Sequence, residues 1–339
     1  MQVIFRTDAS TEIGTGHVMR CLVLANDLRK FGAKVAFICR KLPGNFFSKI
    51  TEAGFPVFEV GDDKHAAETR QLLQSCEKTD WLIVDHYELD YLWEEEVKPF
   101  VKNMMVIDDL ANRRHDCDVL LDQNHVANRM NRYDQLVPED AVQLLGVQYL
   151  LLRNEFRQTA PIVKQNQSVR NVLISFGGSD PTNETMKALT AAASIPDIKV
   201  DVVIGKANPH VREVKAFCHY KPFFHLHHNI DYVAELMAKA DIAIGAGGTT
   251  TWERIYMLLP TLTVETAANQ AEILAMVAKE GLVCHLGKSE QVTAETISDQ
   301  LLTFISEPCR LTEIRKKAAS FRKQMDPLAV ARFIMKGGE

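Results

Sequence analysis

Residues 2–39, "QVIFRTDASTEIGTGHVMRCLVLANDLRKFGAKVAFIC", decide the fold. The stretch opens and closes on β-branched runs of strand length, "QVIFRT" and "KVAFIC". Between them "HVMRCLVLANDLRKFG" has a helical pattern and ends on Gly32, as a C-terminal cap would. Strand, glycine-bearing loop, helix, strand is the unit of a parallel α/β sheet.

The alternation continues. In the first half "PVFEV", "WLIVDHY", "MMVIDD" and "VLLDQ" are further strands. Residues 153–169, "RNEFRQTAPIVKQNQSV", are polar and aperiodic and read as a linker. The pattern then restarts with "NVLISFGG", a helix from about Asn183, "KVDVVIG", "FFHLHH", "IAIGAGG", "PTLTV" and "LVCHL". The tail reads as helix with a break near Pro327. The expectation is an α/β protein of two Rossmann-like domains, 1–155 and 168–339, facing across a cleft. Its ligands would meet the carboxyl ends of the strands. A length of 339 residues suits two domains.

Composition narrows the function. Apolar residues make up 46% and charged residues 24%, the balance of a globular chain with a real core. With 39 basic and 44 acidic residues the net charge is −5, which argues against a nucleic-acid partner. Seven cysteines without a CxxC pair suggest neither a disulfide framework nor a zinc site. With no signal sequence and no membrane-length apolar run, the chain reads as cytoplasmic, with no membrane insertion.

Three glycine turns follow strands: "IGTGH" (13–17), "FGGSD" (176–180) and "GAGGTTTWE" (245–253). Glycine lets backbone amides at a helix start approach an anion, so Gly14, Gly16, Gly177, Gly178, Gly247 and Gly248 are candidate contacts to a phosphorylated ligand. No P-loop and no GxGxxG spacing is present. Glu253, read as one and a half turns into the helix after the third loop, could accept from a ribose diol or merely favour the helix dipole.

His17 stands where Ser, Thr, Asp or Asn would cap a helix better. The positive end of the macrodipole disfavours imidazolium, so the ring is expected neutral near pH 7 and able to accept a proton. "VDHYELD" (84–90) puts Asp85, His86 and Tyr87 at a strand end, and "IDD" (107–109) repeats this one strand later. Asp8 or Asp85 could fix the His17 tautomer. No partner carboxylate or cysteine is read beside "HLHHN" (225–229), so no metal is expected there.

Taken together, "FRTDASTEIGTGHVMRCLVLA", "LIVDHYELD", "IDDLANRRHDCDVLLDQN", "LLGVQYLLLRNEF", "VLISFGGSDPTN" and "NQAEILA" resemble the UDP-2,4-diacetamido-2,4,6-trideoxy-β-L-altropyranose hydrolases of pseudaminic acid biosynthesis. That group includes spore-coat polysaccharide biosynthesis proteins. The resemblance runs from residue 3 to about 285. It implies a glycosyltransferase-B type fold related to MurG, with the catalytic group on the N-terminal domain and the nucleotide on the C-terminal one. His17 is then the implied catalytic base. Tyr87 and Asn269 are the implied substrate-site residues, and Arg6, Asp8, Gly14, Gly16 and Asp85 are candidate substrate contacts beside them. Gly177, Gly178, Ile230 (near uracil), Gly247, Gly248, Thr249, Thr250 and Glu253 (at the ribose) form the implied UDP site. The implied reaction is inverting hydrolysis of a UDP-sugar without a cofactor. A MurG-like transferase, for which "LPGNFFSKI" (42–50) would face a membrane, and a non-catalytic sugar-nucleotide binder remain alternatives.

Overall fold

The computed structural model describes residues 1–61, 66–76, 78–162 and 169–338. They form two compact units: unit 1 is Met1–Leu152 with Met325–Glu339, and unit 2 is Arg153–Gln324.

Unit 1 begins with strand β1 (Gln2–Thr7), helix α1 (Gly16–Lys30), β2 (Lys34–Arg40), α2 (Phe47–Glu52), β3 (Val57–Val60) and α3 (Ala67–Ser75). It continues through β4 (Thr79–Asp85), α4 (Tyr91–Val97), β5 (Val101–Ile107), β6 (Val119–Asp122) and β7 (Val142–Leu145). The seven strands are all parallel, in the order β3-β2-β1-β4-β5-β6-β7. The order reverses between β1 and β4, so the loops leaving these two strands diverge and open a crevice at their carboxyl ends. Val3, Ile4 and Phe5 of β1 and Leu82, Ile83 and Val84 of β4 are all buried, because helices cover both sheet faces. β7 has no counterpart among the strands read from the sequence; its "VQLL" is short and its first half is not buried.

Unit 2 comprises α5 (Asn154–Gln158), β8 (Asn171–Ser175), α6 (Glu184–Ala193), β9 (Lys199–Ile204), α7 (Val211–His219), β10 (Phe224–His228) and α8 (Val233–Lys239). Then come β11 (Ile242–Ala246), α9 (Thr250–Tyr256), β12 (Thr261–Glu265), α10 (Ala271–Lys279), β13 (Cys284–Lys288), α11 (Ala294–Ser306) and α12 (Pro308–Arg322). Its parallel sheet runs β10-β9-β8-β11-β12-β13, with the reversal between β8 and β11.

The chain then returns to unit 1 as α13 (Ala329–Met335). This corrects the expectation that the tail to residue 339 belongs to the second domain. The reason is apolar: Val330, Ala331 and Ile334 are buried with Leu24 and Leu28 of α1, and Phe333 packs on Trp81. Burying Val330 and Ile334 contributes about 1.5–3 kcal/mol each. Of the expected linker, Arg153 and α5 belong to unit 2, and residues 163–168 lie outside the described residues.

Candidate functional site

At the β1/β4 reversal, "DASTEIGTG" climbs from β1 to α1. Ser10 and Gly14 form an isolated bridge, and Gly14 has φ +80, a conformation that disfavours a side chain. The tight turn delivers His17 as the second residue of α1, only 6% exposed.

Asp85, the last residue of β4, is fully buried beneath it. His17 Nδ1 lies 2.6 Å from Asp85 Oδ1. Arg20, one turn along α1, grips the same carboxylate with Nε on Oδ2 at 2.5 Å and Nη2 on Oδ1 at 2.6 Å. Burial alone would raise the Asp85 carboxyl, but the charge of Arg20, with its hydrogen bonds, holds it well below the usual carboxylate range. An ionised carboxylate can only accept, so His17 Nδ1 carries the hydrogen and donates it. The remaining lone pair of a neutral imidazole is then on Nε2. Arg20 Nη2 also lies 3.2 Å from Nδ1, but with that nitrogen donating, this contact is not a hydrogen bond.

The third Arg20 nitrogen, Nη1, donates to Asp109 Oδ2 at 2.9 Å. Asp109 follows β5, and its Oδ1 accepts the Tyr87 hydroxyl at 2.7 Å. Burial, and then the charge of Asp109, pushes the Tyr87 phenol upward, so it keeps its proton. The Tyr87 ring meets His17 edge-on, with centroids 4.4 Å apart.

A second buried cluster lies alongside. Asp8 accepts from Arg6 Nη1 at 2.8 Å, from Arg40 Nε at 2.6 Å and from the backbone of Arg40 at 2.7 Å. His86 Nε2 is 2.9 Å from its Oδ2. Burial opposes ionisation of Asp8, yet His86 and Arg6 together hold its carboxyl far down. The choice between Asp8 and Asp85 as partner of His17 thus falls to Asp85. Arg6, Asp8, Gly14, Gly16, His17, Asp85 and Tyr87 all collect at this one end of the unit 1 sheet. The helix that follows, α4, is capped by Asp90, which accepts from Leu92 N at 3.1 Å. Arg20, Arg40 and Asp109 were missed as site residues. The signal for Arg20 was its i+3 spacing from His17 on a helix.

The unit 2 candidates lie at the corresponding end of its sheet: Gly177, Gly178 and Gly247–Glu253 flank the β8/β11 reversal, Ile230 follows β10 and Asn269 follows β12. Gly177 and Gly178 follow β8, and Asp180 caps α6 by accepting from Glu184 N and Thr185 N at 2.9 and 3.0 Å. The amides at the α6 start are therefore partly taken by the protein itself. After β11, Gly247 donates to Gln270 Oε1 at 3.1 Å, and a Cβ on it would lie 2.5 Å from the buried Leu274 side chain. Gly248 has open space around a notional Cβ, and Thr249 is exposed. Arg254 lies fully buried under the loop, donating to Ala246 O at 2.5 Å and to the hydroxyls of Thr250 and Thr251 at 3.1 Å. Burial lowers this guanidinium to about 10.

Glu253 stands in the first turn of α9, not one and a half turns in, because the helix starts at Thr250. Both its oxygens are gripped by Arg153, at 2.7 and 2.9 Å. Ile230 is half-buried just beyond β10, and Asn269 is exposed in the short turn before α10. His227 does have a carboxylate: Asp201, on the adjacent β9, is 2.8 Å from its Nε2, a neighbour that strand pairing hid from the sequence.

No protein-family model matches the chain. Over 99% of both chains it superposes on MurG of Acinetobacter baumannii with a TM-score of 0.66 at 15% identity. Its fold is thus of the glycosyltransferase-B class. A UDP-2,4-diacetamido-2,4,6-trideoxy-β-L-altropyranose hydrolase of Campylobacter jejuni is 30% identical over 283 residues, 83% of this chain and 97% of that protein. The chain belongs to the family of that Campylobacter protein. The spore coat polysaccharide biosynthesis protein SpsG of Bacillus subtilis is 33% identical over 49% of this chain, and a Methanocaldococcus jannaschii protein is 28% identical over 78% of it. The matches span about half the length of each of these two, 50% and 55%.

Proposed function

We propose that this protein hydrolyses a UDP-linked 2,4-diacetamido-2,4,6-trideoxy sugar, releasing UDP and the free sugar with inversion at C1. The observation that carries this reading is the His17–Asp85 contact at 2.6 Å, with Nδ1 as donor and Nε2 as the remaining base. Water loses a proton to Nε2 as its oxygen attacks C1 from the face opposite UDP. The C1–O bond breaks, and its electron pair leaves with the diphosphate. Arg20 carries one positive charge against the two negative charges of Asp85 and Asp109, so the imidazolium formed by proton transfer brings the cluster to two against two. Asp85 also fixes the tautomer, as the carboxylate does in other histidine bases.

In unit 1, Gly14, Gly16 and Tyr87 are assigned to the sugar, while Arg6 and Asp8, expected to bind it, are buried and bonded to each other; in unit 2, Asn269 is assigned to the substrate. In unit 2 the loops at Gly177, Gly178 and Gly248–Thr250 hold the diphosphate, the backbone at Ile230 reads uracil, and Glu253 accepts from ribose; the Gly247 amide is already given to Gln270. Beyond its fork to Arg153, each Glu253 oxygen keeps a lone pair for a ribose hydroxyl. The likeness to the Campylobacter hydrolase, which acts on a UDP-linked diacetamido-trideoxy sugar, supports UDP and this sugar class.

The likeness to MurG favours a second reading, in which Nε2 deprotonates an acceptor hydroxyl instead of water. Incubation of the UDP-sugar in ¹⁸O-water without acceptor separates the two. Hydrolysis puts label in the sugar. Label in UDP phosphate, or no UDP release, overturns the proposal.

A further inference from the structure

The hydrogen-bond polarity of the His17 site is set one residue away from it. Arg20 forks onto Asp85 and holds Asp109 with its third nitrogen. Carboxylates held this way have no hydrogen to give, so the two neighbouring donors turn inward. His17 gives its Nδ1 hydrogen to Asp85, and Tyr87 gives its hydroxyl hydrogen to Asp109 at 2.7 Å. The two rings are in contact, and each has only lone pairs left to present: Nε2 on His17 and Oη on half-buried Tyr87.

We propose that Arg20 is a positioning residue which, through Asp85 and Asp109, presets His17 and Tyr87 as a pair of acceptors and so selects a nucleophile with two hydrogens to donate. Water is such a nucleophile. One hydrogen goes to Nε2 and is transferred; the other goes to Oη and stays; a lone pair on the oxygen is left for C1. An alcohol brings a single O–H and leaves Oη unmet. The proposal rests on the reading of His17 as the base in hydrolysis. It requires the planar guanidinium fork, since a lysine ammonium cannot span two carboxylates in the same geometry.

The test is partition of the full-length protein between water and methanol. UDP-2,4-diacetamido-2,4,6-trideoxy-β-L-altropyranose is turned over in aqueous methanol, and free sugar and methyl glycoside are counted by mass spectrometry. In the second product the methanol oxygen bonds to C1, the C1–O bond to UDP breaks, and the methanol proton goes to the base. The native protein should favour water beyond its molar share. In Asp109→Asn the amide can donate to Oη, so the Tyr87 hydroxyl is free to donate outward, an arrangement an alcohol satisfies.

That variant, Arg20→Lys and Tyr87→Phe should each shift partition toward methyl glycoside by about fivefold, the worth of roughly one hydrogen bond, while kcat falls. A distortion of the site that is merely structural lowers both products together, so an unchanged ratio in all three variants overturns the inference. Native protein that yields no free sugar overturns the hydrolytic reading, and this inference with it. Native hydrolysis with unmoved variants sinks this inference alone.

Discussion

The two units repeat one topology and fill it with opposite chemistry. In unit 1 the reversal between β1 and β4 is packed with ionisable side chains: His17, Arg20, Asp85, Asp109 and, next to them, Arg6, Asp8, Arg40 and His86. In unit 2 the reversal between β8 and β11 is lined by glycines; its buried Arg254 donates to a carbonyl and two hydroxyls, and its charged groups are the Arg153–Glu253 pair and Asp180 at the start of α6. Side-chain clusters hold and move protons; a glycine-lined backbone lets a diphosphate approach closely. On the function proposed above, the same parallel-sheet crevice serves chemistry in one unit and recognition in the other.

The largest expected effect tests that division directly. His17→Ala should lower turnover by about 10³-fold or more, the scale of a general base, while UDP affinity by calorimetry stays within about threefold. Retained turnover would remove the base from unit 1, and lost UDP affinity would blur the division.

Asp85→Asn comes next. It should cut kcat by about 10²-fold or more through the wrong tautomer. It should also destabilise the fold by about 3–5 kcal/mol in urea unfolding, since Arg20 loses its buried carboxylate.

Acid should then separate the units. Asp8, Asp85 and Asp108 in unit 1 are held below their unfolded values, so their stabilisation is present above about pH 4 and fades as pH falls toward those depressed values. In unit 2, Asp180 and Glu155 are raised by burial, so protonation there favours the folded form. Hydrogen exchange below about pH 4 should show unit 1 opening first.

Asp122 is the exception within unit 1: burial lifts it to about 6, against the hydrogen bond from Asn124 and the charge of Arg132. From pH 4 to 6 it therefore costs stability as it ionises, and Asp122→Asn should flatten that slope, worth about 2–3 kcal/mol at pH 7. An unchanged slope would assign the dependence elsewhere.

The smallest effects lie in the glycine loop. Gly247→Ala should cost about 1–3 kcal/mol by pressing on Leu274. Gly248→Ala, in open space, should leave stability within about 0.5 kcal/mol and lower UDP affinity instead. Equal losses of stability would mean that both glycines serve packing alone.

Much of this was legible in the chain. The strands "QVIFRT" and "KVAFIC" and the helix between them declare themselves by period, since buried parallel strands are continuously apolar and helices are not. His17 reads from the sequence as a poor cap, but the cap position is Thr15 and His17 is the second helical residue; what the sequence did show is a histidine in the first turn after a glycine loop. The apolar spacing of "LAVARFIM" shows a helix but not which core it joins, so α13 was assigned to the wrong unit. Glu253 read as an open carboxylate because Arg153 lies 100 residues away from it. Gly247 read as a ligand contact, yet its amide and its missing Cβ are both accounted for by Gln270 and Leu274.

By itself the sequence determined the two parallel α/β units, the glycine loops and the histidine at the start of α1, because local period and turn chemistry act over a few residues. Only the tertiary structure decided what that histidine is. Asp85 is 68 positions from His17 and Asp109 is 89 from Arg20, and pairing between adjacent strand ends brings them together. Hydrogen-bond polarity depends on which acceptor meets which donor in space, and that is settled by strand order.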